Sequence, residues 1–225
     1  MIEVRNVYKS FNGKEVLKDI SFTFEAGKTN LIIGQSGSGK TVLMKSVIGI
    51  HQVDKGQILY NGRDFTKMSN KETALLRQEI GMLFQGSALF DSMTVEENVR
   101  FPLEMLSDTT RKEWEKRVAF CLDRVGLSHA AKLFPSEISG GMQKRAAIAR
   151  AIVLEPTYLF CDEPNSGLDP KTSLTIDQLI QEITRENNIT TIVNTHDMNS
   201  VMEIGEKILF IHKGEKGWEG SKDTI

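Results

Sequence analysis

The sequence predicts an α/β fold: a mainly parallel core sheet, an N-terminal antiparallel β-subdomain and an inserted α-helical subdomain. From Thr29 onward, short apolar runs alternate with helical stretches, the pattern that strand–helix–strand crossovers leave in a parallel sheet. Before Thr29, apolar and polar positions alternate on either side of Asn12-Gly13, a pair suited to a tight hairpin turn. From 87 to about 140 the chain carries several amphipathic helical patterns and no convincing strand.

Taken in order, Val4, Val7 and Tyr8, then Leu17, Ile20, Phe22 and Phe24, mark the antiparallel strands. Strands are expected at 29–34, 57–60, 80–84, 157–162, 189–194 and 206–211. Helices are expected at 40–49, 94–105, 111–125, 141–153, 171–187 and 198–203. The whole, 1–225, reads as a single domain. Residues 1–86 and 155–225 supply the core and its antiparallel subdomain, and 87–154 the helical insertion. The last strand signal lies near the end of the chain, so a final helix or tail is expected to be short or missing.

Composition narrows the function. Lys and Arg number 28 against 30 Asp and Glu, a formal charge of −2, so no basic excess points to nucleic acid. No apolar run approaches the roughly 18 to 20 residues that span a bilayer, and the N-terminus Met1-Ile2-Glu3-Val4-Arg5 lacks a signal-peptide pattern. The two cysteines, Cys121 and Cys161, form no CxxC, and Cys161 sits in an apolar run as a reduced thiol. A cytosolic compartment follows. Any role at a membrane is then expected to come through a partner.

Gly34-Gln35-Ser36-Gly37-Ser38-Gly39-Lys40-Thr41 matches GxxxxGK[ST] between an apolar strand and a helical run. Glycines let the backbone bend around phosphates and turn its N–H groups toward them. The following helix start adds unpaired donors and a positive dipole end. In this pattern Lys40 reaches the β- and γ-phosphates, and the Thr41 hydroxyl ligates Mg²⁺.

Thr157-Tyr158-Leu159-Phe160-Cys161-Asp162-Glu163 is an apolar strand ending in two carboxylates. In a parallel sheet it ends at the same edge as the phosphate loop. There Asp162 orients the Mg²⁺ shell, and Glu163 polarises an attacking water. His196 and Gln85 each follow a strand and emerge at that edge, His196 toward the γ-phosphate and Gln85 toward metal or water. A solvated strand end is the plain alternative for each of them, and the neighbouring phosphate loop decides against it for the acids.

Ile138-Ser139-Gly140-Gly141-Met142 opens another helix. Ser139 is placed to cap it, and two glycines leave its N–H groups unobstructed. Spacing alone leaves a capped helix and a second anion site equally supported.

These segments, with Ser166-Gly167-Leu168-Asp169-Pro170, stand in the order seen in ABC transporter ATPase domains, which the chain resembles over essentially its full length. The resemblance implies a P-loop NTPase that binds and hydrolyses ATP with Mg²⁺. It implies that Ser139, Gly140 and Gly141 contact the γ-phosphate held by the Walker A loop of a second copy, head to tail, and that 166–170 crosses the same interface. It also implies an aromatic stacked on adenine, Phe11 or alternatively Tyr8. Met142 stands where many members have Gln, and Asn165 where Thr is more frequent, and neither removes a phosphate contact.

ISGGMQKRAAIARA and Leu89-Phe90-Asp91-Ser92-Met93-Thr94-Val95-Glu96-Glu97-Asn98-Val99 resemble the ATPases of bacterial Mla-type lipid transporters, which work with Mce-domain proteins. That resemblance implies phospholipid cargo, transmembrane permease subunits, and a place on the cytoplasmic face of the inner membrane. Amino-acid and lipoprotein systems share much of the pattern. A soluble regulator acting on ribosomes or DNA is disfavoured, because the chain has neither tandem ATPase units nor a long coiled-coil insertion.

Overall fold

The computed structural model describes residues 1–225. The chain enters as a hairpin, β1 (Ile2–Phe11) and β2 (Lys14–Phe24). Asn12 and Gly13 turn it with left-handed φ of 50° and 78°, as a turn twisted to match its strands requires. Next come β3 (Thr29–Ile33), buried throughout, and α1 (Lys40–Ile48). They lead to β4 (Lys55–Tyr60), β5 (Arg63–Asp64), α2 (Asn70–Gln78) and β6 (Ile80–Leu83). Three helices follow with no strand among them: α3 (Val95–Leu106), α4 (Arg111–Arg124) and α5 (Gly140–Ile152). The chain then returns through β7 (Tyr158–Asp162), α6 (Pro170–Glu186), β8 (Thr190–Asn194) and α7 (Met198–Ile204). It closes with β9 (Lys207–His212) and β10 (Glu215–Gly220).

Two sheets result. One has four antiparallel strands in the order β2-β1-β4-β5, and the other six in the order β10-β9-β3-β8-β7-β6. In the larger sheet all neighbours run parallel except the β9–β10 edge pair. One core packs its strands against α3 to α6 through residues such as Leu31, Leu159, Ala147 and Ile180. A second core lies between the two sheets and α1, built on Ile2, Phe24, Met44, Tyr60 and Phe160. Tyr60 and Tyr158 meet edge to face across it at 4.8 Å, and the Tyr60 hydroxyl donates to the Val47 carbonyl at 2.7 Å. A buried phenol needs such an acceptor.

The expected strands and helices are present within a residue or two of their predicted ends, with three differences. The strand expected at 57–60 belongs to the antiparallel sheet, where Val4 faces Ile58 and Ile2 faces Tyr60. Its alternate burial of Ile58 and Tyr60 suits a sheet packed on one face only. The helix α2 was not predicted: it buries only Leu76 and is fixed by a Ser69–Glu72 capping box. The strand β10 was not predicted: Lys213 and Gly214, both at positive φ, turn the chain back from β9 into it, and residues 221–225 follow it without a helix.

Register decides where the side chains meet. Across the parallel sheet, Asp162 lies opposite Asn194, and Asn194 opposite Ile32. The loops after β3, β6, β7 and β8 therefore leave one edge together, the edge where ligands bind in such sheets.

Candidate functional site

At that edge lies a cleft of about 820 Å³ whose lining includes Gly34, Gln35, Ser36, Gly37, Lys40, Thr41, Gln85, Asp162, Glu163 and His196. Ten of the residues singled out from sequence thus meet in one place. Ser38 and Gly39 complete the loop beneath it and are buried.

The loop's geometry follows from its glycines. Gly34 has φ +149°, and a Cβ there would stand 2.3 Å from the Ile211 carbonyl oxygen, so only glycine lets the loop leave β3 against β9. Gly39 caps α1 from a left-handed conformation, with no side chain accepting from the first turn. The N–H groups of that turn have no intrahelical acceptor and lie at the positive end of the dipole. Lys40 is 7 % exposed and its ammonium donates to Gly34 and Gln35 carbonyls at 2.9 and 3.2 Å. The buried Ser38 hydroxyl has no partner. An orphaned hydroxyl, a buried ammonium and a free helix start form a cradle that a polyphosphate satisfies.

The opposite wall carries the acids. Asn194, fully buried, donates through Nδ2 to Asp162 Oδ1 at 2.5 Å and to Thr41 Oγ1 at 3.2 Å. It thereby ties the two groups expected on the metal to one another. Thr41, Asp162 and the Gln85 amide oxygen are hard oxygen donors, the set Mg²⁺ takes beside phosphate. Glu163 sits just past the strand at φ 48°, its N–H donating to the Asn194 carbonyl at 2.9 Å. A left-handed conformation is strained for a glutamate, and here it turns the carboxylate toward His196, whose Nδ1 is 2.8 Å away. Gln85 Nε2 donates to Ser166 Oγ at 3.4 Å.

Asn194 went unrecognised in the sequence. Its signal was an amide closing an otherwise apolar run, where a buried polar group must have partners. Phe210 also lines the cleft, whereas Phe11 does not. It lies at the end of β1, meets His51 edge to face at 5.1 Å and is 39 % exposed. Tyr8, the alternative, is half-buried on the same strand beneath Lys55.

Ser139, Gly140 and Gly141 are elsewhere. They open α5 on a surface depression shared with Gly167, Leu168 and Asp169, which has no lining residue in common with the Lys40 cleft. The Ser139 hydroxyl accepts from the Met142 N–H at 3.3 Å, and Ser139 and Gly140 are exposed. Asp169 caps α6, its carboxylate accepting from the Lys171 and Thr172 N–H groups at 3.1 Å. Bonds from Thr172 hold its pKa below the usual aspartate value. Within one chain this second helix start faces no phosphate loop.

A family model described as ABC transporter matches residues 17–166. The chain is 43 % identical, over its full length, to a probable ribonucleotide transport ATP-binding protein, mkl, of Mycobacterium leprae (strain TN). It is 38 % identical, over 95 % of its length, to methionine import ATP-binding protein MetN 1 of Pseudomonas syringae pv. syringae (strain B728a). It spans 65 % of the length of each of these relatives. Its fold superposes on the dimeric structure of MJ0796, a bacterial ABC transporter cassette, with TM-score 0.88 and 31 % identity over 99 % of both chains. That cassette is also known as a dimer in a post-hydrolysis state bound to ADP and Pi, with TM-score 0.87, 30 % identity and 99 % of both chains covered.

Proposed function

The chain belongs to the ABC transporter family, and from that premise we propose that it binds MgATP and hydrolyses it at two composite sites of a head-to-tail dimer. Each site joins the Lys40 cleft of one copy to the Ser139 helix start of the other. The observation that carries this is the separation of the two anion-seeking features onto different surfaces of one chain, so that each lacks what the other supplies.

The residues have distinct tasks. The loop 34–41 and Lys40 bind the phosphates and neutralise their charge. Thr41, Asp162 and Gln85 would hold Mg²⁺, which when bound would supply positive charge to offset that developing on the phosphates. Glu163 accepts a proton from water as the water oxygen attacks the γ-phosphorus. The bond to the ADP oxygen breaks, and ADP and phosphate leave. His196, hydrogen-bonded to Glu163, aims that carboxylate and faces the γ-phosphate. An aromatic at 11 or 8 stacks on adenine.

The work drives a transporter with membrane-spanning permease subunits as partners, a reading supported by the transport ATP-binding proteins that the chain resembles. The resemblance to these transport ATPases supports a peripheral place on the cytoplasmic face. The segments 89–99 and 138–151 favour phospholipid as cargo and an Mce-domain protein as a further partner. The similarity to a methionine import ATPase supports amino-acid import as the second reading. Lipid extraction of the complex purified from membranes separates them. Bound phospholipid is expected, and a lipid-free complex whose ATPase responds to an amino acid overturns the lipid reading.

A further inference from the structure

Lys144 lies in the second turn of α5, just beyond the Ser139 cap, and is 4 % exposed. Its ammonium donates to the backbone carbonyl of Gln85. No acid offsets its burial, which pulls its pKa below the usual lysine value, with only the Cys161 thiol acting the other way. A lone buried ammonium is costly, and an apolar chain of the same length would fill the space without that cost. Packing alone does not account for a lysine here.

Further along the same helix, Arg150 donates to the Ser87 and Ala88 carbonyls, both at 2.7 Å. Ser87 and Ala88 are consecutive non-glycine residues at φ 62° and 49°, a strained pair that persists only where its surroundings hold it. Two cations of α5 therefore hold three carbonyls of the loop after β6, those of Gln85, Ser87 and Ala88. At the near end of that loop the Gln85 side chain lines the nucleotide cleft.

We propose that Lys144 is a positioning residue for ATP hydrolysis: through the Gln85 carbonyl it fixes the Gln85 side chain at the cleft and binds α5 to that loop as one body. The helix start that meets the partner's phosphate and the glutamine that meets the chain's own metal then move together. This rests on the ATPase reading above.

The test is steady-state ATP hydrolysis by the full chain, titrated with ATP and separately with Mg²⁺, for wild type, Lys144→Met and Lys144→Arg. Lys144→Met is expected to lower kcat about tenfold, leave KM for ATP within about twofold and raise the Mg²⁺ needed for half-maximal rate. Lys144→Arg, which restores a cationic donor, is expected to recover most of the rate. Wild-type kcat and Mg²⁺ dependence in Lys144→Met overturns the inference. So does a loss of rate, ATP affinity and thermal stability together that Arg does not rescue, since that is a packing defect. A wild-type chain that binds ATP without hydrolysing it sinks the ATPase reading and this inference with it. An active wild type with an unaffected Lys144→Met sinks this inference alone.

Discussion

His196 Nδ1 stands 2.8 Å from the Glu163 carboxylate, and the strained φ of 48° at Glu163 makes that contact possible. Glu163 is mostly buried and His196 largely exposed. In the mechanism proposed above, Glu163 would be the proton acceptor and His196 the group that orients it. Glu163→Gln keeps the shape and removes the base. Turnover is expected to fall about 10² to 10⁴-fold with ATP affinity retained, as read by phosphate release beside a nucleotide-binding titration.

Lys40→Ala removes a charge-assisted donor worth about 1.5–3 kcal/mol per hydrogen bond to an ionised phosphate. ATP affinity is expected to drop by at least about tenfold and turnover to vanish. Calorimetric titration with ATP, and unchanged affinity in particular, decides the point.

Asn194→Ala cuts the link between Thr41 and Asp162 and leaves a buried site without its donor. About 1–3 kcal/mol of stability is expected to go with it, and the Mg²⁺ requirement for hydrolysis to rise. Asn194→Asp sets a second carboxylate beside Asp162 and is expected to perturb the metal requirement more. A Mg²⁺ titration of both variants checks the order.

Much of this site was legible because its parts are local. The phosphate loop, the acidic pair and the serine-capped helix each declare themselves within a few residues. Asn194 was hidden because its meaning comes from register: only pairing of β7 with β8 and of β8 with β3 brings it between Asp162 and Thr41. The same holds for β4, whose neighbour in space is β1 at the far end of the hairpin, and for β10, a polar edge strand defined by backbone pairing and not by an apolar run. The α2 capping box was local and readable, but its single buried leucine gave no helical stripe.

Burial pushes the carboxyl of Asp177, 2 % exposed on α6, up from its ordinary 3.8 to about 6. Its Oδ1 and the neighbouring Asn165 Oδ1 both lack donors. A raised folded-state value means that ionising Asp177 costs stability: none below about pH 4, growing through 4 to 6, and about 3 kcal/mol above pH 7. Asp177→Asn supplies a neutral donor, so its stability advantage over wild type is expected to grow from pH 4 to 6 and then level off. Thermal melts across that range test it, and a pH-independent difference contradicts it.

Ser139→Arg places a bulky cation at the exposed start of α5 while leaving the Lys40 cleft of the same chain untouched. ATPase activity is expected to fall to background with monomer ATP binding intact. Wild-type turnover in this variant would mean that Ser139 does no more than cap its own helix.

The most direct measurement is the sedimentation of Glu163→Gln with ATP and Mg²⁺. Nucleotide clamped between two copies predicts a dimer that forms with ATP, does not form with ADP and is abolished by Ser139→Arg. A chain that binds ATP and remains a monomer at every protein concentration contradicts the account.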